Sequence, residues 1–207
     1  MNITNKFIAD AIQLSLSNSL PERIYKINGM SSDKVRNILN NICKIDFFNY
    51  LEIGTLEGST CISSLFNNNF NKAYLIDNWS EFGCNKAKFY ENINLFLDNR
   101  IKDIEIIEED CFKIDLIKIK DKINIYFYDG DHSYLAQKKA LTYFYGVLAE
   151  KFIYIVDDMN EIESFIGTFD AIRKLELKIE FMSILPSRGN CDKDYYWNGI
   201  GLFLLKK

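Results

Sequence analysis

Residues 49–60 read Asn49-Tyr-Leu-Glu52-Ile-Gly54-Thr-Leu-Glu-Gly58-Ser-Thr60. The run Asn49–Ile53 has strand length and ends in a glycine; the stretch Gly58–Phe66 reads as a helix. Two glycines four apart permit a tight strand-to-helix turn and let a ligand approach the backbone closely. The spacing is Gly-x-x-x-Gly. It lacks both the Gly-x-Gly-x-x-Gly of a dinucleotide loop and the Gly-Lys-Ser/Thr ending of a phosphate loop, so phosphate cradling is not indicated. Glu52 at the strand end would repel a pyrophosphate and suits a cationic ligand.

Working outward, strands and helices alternate. Further strands are expected at Ala73–Asp77, Ile104–Glu108, Ile123–Asp129 and Phe152–Asp157, with helices at Lys86–Leu97, Ser133–Leu148 and Ile162–Leu175. Alternation over this length implies a parallel sheet with helices on both faces. Two final strands, Ile179–Leu185 and Ile200–Leu205, have no helix between them and should pair as an antiparallel hairpin. The expected fold is therefore α/β: a Rossmann-like, doubly wound, seven-stranded sheet of five parallel strands plus a C-terminal hairpin. Residues 1–46 read as helical. One apolar stripe is Ile8, Ala11, Ile12 and Leu16; after Leu20-Pro21 and the helix-start residues Ser31-Ser32-Asp33, a second is Val35, Ile38, Leu39 and Ile42. No linker follows, so 1–46 is expected to cover the 47–207 core as part of the same domain.

A chain of 207 residues, 48% hydrophobic, is long enough for one domain with a sizeable core, which excludes a disordered or disulfide-scaffold protein. The net charge of −4, with no basic stripe, argues against nucleic-acid binding. Five cysteines (Cys43, Cys61, Cys84, Cys111, Cys191) at long spacings, with no Cys-x-x-Cys, read as reduced thiols. There is no signal-peptide pattern and no apolar run near the ~20 residues of a membrane span, so a cytoplasmic location is expected.

In doubly wound sheets, ligands bind beyond the carboxyl ends of the strands. The second strand ends in Asp77, placed to accept hydrogen bonds from ribose hydroxyls. Glu109-Asp110-Cys111 puts more acid beyond the third strand. A cationic nucleoside without phosphate fits these acids: S-adenosylmethionine (SAM). Glu52-Ile-Gly-Thr-Leu-Glu-Gly58 resembles the first motif of class I SAM-dependent methyltransferases, with Asp77 similar to their ribose acid and Asp110 to their adenine-side residue. The resemblance spans about residues 47–207 and implies cofactor binding by Glu52, Gly54, Gly58, Thr60, Asp77, Asp110 and Cys111.

The fourth strand runs into Tyr128-Asp129-Gly130-Asp131-His132-Ser133-Tyr134, and the fifth into Val156-Asp157-Asp158-Met159-Asn160. If these strands are neighbours, Asp129, Asp157 and Asp158 meet; a hard divalent cation, magnesium above all, would relieve their repulsion. His132, the single histidine, stands three residues after Asp129, where it can take a proton from a hydroxyl or merely cap the next helix. The Asp-Gly-Asp-His-Ser-Tyr run resembles bacterial sugar O-methyltransferases of macrolide and rhamnosyl type. That likeness implies Asp129 and His132 as metal ligand and base, and Asp157 and Asp158 as further ligands. The related catechol-type enzymes carry Asp-Asn at the second position and lack the histidine, which disfavours a flat catechol substrate. A small-molecule or glycan acceptor is expected. The alternatives are a metal-independent N- or O-methyltransferase, and a SAM-binding module without catalysis. Trp79 fits either an adenine stack or the core; the 185–197 loop fits either substrate contact or simple connection; and the segment around Met30 fits either a roof on the acceptor pocket or a homo-oligomer interface.

Overall fold

The computed structural model describes residues 3–17, 20–83 and 85–207; Cys84 lies outside them. The strands are β1 (Phe48–Ile53), β2 (Phe70–Ile76), β3 (Ile104–Ile107), β4 (Ile123–Tyr128), β5 (Leu148–Val156), β6 (Lys178–Leu185) and β7 (Ile200–Lys206). They form one sheet in the order β3-β2-β1-β4-β5-β7-β6. β1 to β5 are parallel, and β7 runs antiparallel to both β5 and β6. This is the expected doubly wound sheet, its order reversing between β1 and β4, where ligand crevices open.

Side-chain alternation along each strand feeds two cores. Ile125 and Phe127 of β4 point to one face, and Tyr126 and Tyr128 to the other. The first face is covered by α1 (Asn5–Leu14), α2 (Glu22–Tyr25), α3 (Asp33–Ile42), α4 (Ser59–Leu65) and α5 (Lys86–Leu97); the second by α6 (Tyr134–Phe144) and α7 (Ile162–Lys174). The N-terminal helices share the first core with β1: Ile8, Ile24, Ile38 and Tyr50 are all fully buried in it. Each such side chain contributes roughly 1.5–3 kcal/mol on leaving water.

The second N-terminal stripe is buried throughout, after a start at Ser32, whose hydroxyl accepts the Val35 N–H at 3.3 Å. The first stripe fails at Leu16, which is 55% exposed because α1 stops at Leu14, before the next inward position. The helix expected to reach Leu148 ends at Phe144, and Leu148 pairs with Ile123 as the first residue of β5. The apolar run there fits either element locally; the open ladder edge of β4 decides it.

Candidate functional site

The sheet ladder continues one hydrogen bond past each strand at its carboxyl edge. Gly54 N–H donates to Ile76 O at 3.0 Å, Asp77 N–H to Ile107 O at 3.3 Å, Asp129 N–H to Ile53 O at 3.0 Å and Asp157 N–H to Tyr128 O at 3.1 Å. Register therefore sets Asp77, Gly54, Asp129 and Asp157 in one row. Gly54 has φ +83°, and a Cβ there would lie 1.9 Å from the Asp129 carbonyl oxygen. Only glycine lets the β1 and β4 loops touch at this point.

A cavity of about 600 Å³ opens above the row, its wall including Gly54, Asp77, Asp110, Cys111, Asp129 and His132. Asp77 does more than face it. Its Oδ2 accepts the Thr55 and Leu56 N–H groups, each at 2.8 Å, and its Oδ1 accepts the Trp79 N–H at 2.7 Å. This carboxylate binds the glycine turn to the β2 loop and supports Leu56, whose φ of +48° is costly for a leucine. Trp79 packs on Phe89 and Tyr90 and donates its Nε1–H to Leu56 O at 2.7 Å, so it buttresses the turn from behind. Asp110 accepts the Phe112 N–H at 3.0 Å, and the Lys113 ammonium 2.9 Å away holds its carboxyl below the usual range. Burial pushes the Cys111 thiol up to about 12, which keeps it neutral.

Three of the residues assigned to the cofactor lie behind this wall. Glu52 is fully buried: Tyr50 OH donates to its Oε2, and Thr60 Oγ1 donates to its Oε1 at 2.6 Å. Burial pushes its carboxyl up to about 8. Thr60 is thus occupied with Glu52, and Gly58 (φ +95°) precedes α4 with its Cα side against Ile62. The reason is strand alternation: Ile53 faces the second core, so Glu52 one step back faces the first, beneath α4.

At the other end of the row the acids converge. Asp129 and Asp157 stand at the ends of neighbouring strands; burial first, then the charges of the neighbouring aspartates, pushes both carboxyls up. Asp158 adopts φ +56°. Its Oδ2 lies 3.4 Å from His132 Nε2, and Asp129 Oδ1 lies 3.8 Å from the same nitrogen. His132 does not cap α6; Ser133 does, accepting the Ala136 N–H at 3.4 Å. α7 begins at Ile162, beyond the Asp157-Asp158 pair. Among the described residues, no group of three His, Cys, Asp or Glu side chains is gathered to hold a metal ion as it stands. Carboxylate oxygens of the kind that Asp129, Asp157 and Asp158 carry are nonetheless the donors a hard cation takes.

Sequence reasoning missed Gln137, fully buried on α6, whose Nε2 lies 3.4 Å from His132 Nδ1. Its signal was a polar residue at an inward helical position. No helix among the described residues is long and apolar enough to cross a membrane.

No family model matches the chain, and no curated protein matches it in sequence. Solved structures match its fold. Precorrin 8w decarboxylase from Methanobacterium thermoautotrophicum superposes with TM-score 0.61 at 15% identity, over 91% of this chain and 100% of that one. Precorrin-6y C5,15-methyltransferase from Geobacter metallireducens gives 0.60 at 10%, over 94% and 98%. An O-methyltransferase from Bacillus cereus, in complex with SAH, gives 0.59 at 14%, over 99% and 92%. The chain shares its fold with these structures, two of which are named methyltransferases.

Proposed function

We propose that the protein is a SAM-dependent O-methyltransferase acting on a sugar or other polyol, with a divalent cation, magnesium by preference, and His132 as base. The observation that carries this reading is a single cavity whose wall joins the glycine turn, Asp77 and Asp110 to Asp129 and His132. Its volume suits one small cofactor with its acceptor. Gly54, Asp77, Asp110 and Cys111 would hold the cofactor, with Gly54 leaving room where a Cβ would intrude on the β4 loop. When bound, SAM supplies an electrophilic methyl group.

The remaining chemistry belongs to the chain. His132, 31% exposed at its side chain, accepts the proton of an acceptor hydroxyl at Nε2, the nitrogen turned to Asp129 and Asp158. Asp129, Asp157 and Asp158 would hold the cation, whose chemistry is to offset their mutual repulsion and acidify that hydroxyl. Asp77 fixes the cofactor turn through its three backbone bonds, and this order converts binding into orientation.

Calorimetry with S-adenosylhomocysteine and transfer of radiolabelled methyl from SAM to an acceptor panel test the reading. Binding of S-adenosylhomocysteine and magnesium-stimulated labelling of a hydroxyl are expected. Failure to bind it removes the cofactor assignment. Full activity in EDTA removes the cation and leaves the carboxylates as hydrogen-bond acceptors for substrate.

A further inference from the structure

Arg36 is 3% exposed on α3, and its contacts all go to one stretch of chain. Its Nη1 donates to the carbonyl oxygens of Ile24, Tyr25 and Ile27 at 3.3, 3.0 and 3.0 Å, and its Nε to Ser31 Oγ at 2.9 Å. Burying a guanidinium against neutral carbonyls is costly. What it secures is the path of residues 24–31. Two further ties hold the same turn. A Cβ on Gly29 would lie 2.0 Å from Ser59 Oγ, at the start of α4, so the backbone there is pressed onto the end of the cofactor turn. Ser32 Oγ donates to Tyr195 O of the β6–β7 loop. Between these ties Met30, 40% exposed, lines the same cavity as Gly54 and His132.

We propose that Met30 is the specificity-determining roof of the acceptor site and that Arg36 is its positioning residue. A flexible thioether in the wall of a cavity that also carries carboxylates and an imidazole suits an acceptor with two unlike faces. The acceptor class is a cyclic polyol with one apolar face: that face lies under Met30, and its hydroxyls point to Asp129 and His132. This rests on reading the cavity as a methyltransferase site.

The test uses the full chain and a panel of cyclic polyols in which successive hydroxyls are replaced by hydrogen. Met30→Ala raises KM for the preferred polyol by about tenfold or more, with a smaller loss in kcat. The penalty shrinks as the apolar face of the acceptor shrinks. Arg36→Lys reproduces the KM effect. With methyl-13C-methionine, in a chain of four methionines, it also moves the Met30 resonance toward that of a solvated side chain, S-adenosylhomocysteine affinity staying unchanged. Arg36→Leu gives a second reading should the lysine still hold the turn. An unchanged KM in Met30→Ala overturns the roof, as does a wild type that methylates none of the polyols. An unchanged Met30 resonance in both Arg36 variants overturns the positioning role. A wild type that fails to bind S-adenosylhomocysteine, by contrast, strikes the functional reading, and the resonance still decides the part played by Arg36.

Discussion

Two acidic regions flank β1, and burial raises the carboxyls of both. Glu52 sits beneath α4, sealed from solvent, with both oxygens accepting neutral hydroxyls. When it carries its proton, the chain of hydroxyls can turn over: Glu52 donates to Tyr50, Tyr50 to Ser64 at 2.9 Å, and Ser64 Oγ to Thr60 O at 2.9 Å. That region is complete in itself. The second region, Asp129, Asp157, Asp158 and His132, meets a cavity at Asp129 and His132, and burial with the repulsion of neighbouring acids raises the Asp129 and Asp157 carboxyls. A raised carboxyl alone therefore marks no site; a raised carboxyl with unfilled bonding capacity facing a cavity does.

The sharpest contrast lies in turnover. His132→Gln keeps local hydrogen bonding but cannot accept a proton, and methyl transfer should fall about 10²–10⁴-fold. Near-normal turnover, assayed with radiolabelled SAM, would make the open region as purely structural as the sealed one.

Next in size is the pH dependence of stability. Glu52 is raised from an ordinary 4.5 to about 8 in the folded chain. Between those values the folded protein keeps a proton that the unfolded chain has lost, so stability falls as pH rises through this window. The slope is about 1.4 kcal/mol per pH unit for one such group. Glu52→Gln should flatten the decline, as measured by denaturant unfolding at intervals across the window. A slope unaltered by Glu52→Gln would assign the whole decline to Asp129 and Asp157, which act with the same sign.

Magnesium should separate the regions more gently. At a concentration about 100-fold above its dissociation constant it stabilises the wild type by about 2.7 kcal/mol. Asp129→Asn and Asp157→Asn should abolish that thermal shift, whereas Glu52→Gln should retain it. The smallest effect expected is on cofactor affinity. Asp77→Asn leaves an amide facing backbone N–H groups and should weaken S-adenosylhomocysteine binding by about 1.5–3 kcal/mol by calorimetry. Unchanged affinity would confine Asp77 to holding the turn.

Much of this was legible in the residues. The alternation of strand and helix specified the sheet, and acids at the ends of β2, β4 and β5 were recognisable because strand ends in such a sheet share one edge. The burial of Glu52 beneath α4 follows from its alternation with Ile53, which the motif position does not express. Leu16 was misplaced because periodicity does not say where a helix stops. Gln137 and Arg36 went unnoticed because a buried polar residue looks like a surface one until its neighbours are known.

The sequence by itself determined the strand and helix pattern, the glycine turn and the kinds of acid at each strand end, since local chain geometry and side-chain period depend only on near neighbours. Tertiary structure alone decided that Asp129 and Asp157 stand at neighbouring strand ends with their carboxyls raised, that Asp77 ties the glycine turn and that Met30 reaches the cavity. Those facts depend on contacts between residues far apart in the chain, which only the sheet register and the packing of the N-terminal helices bring together.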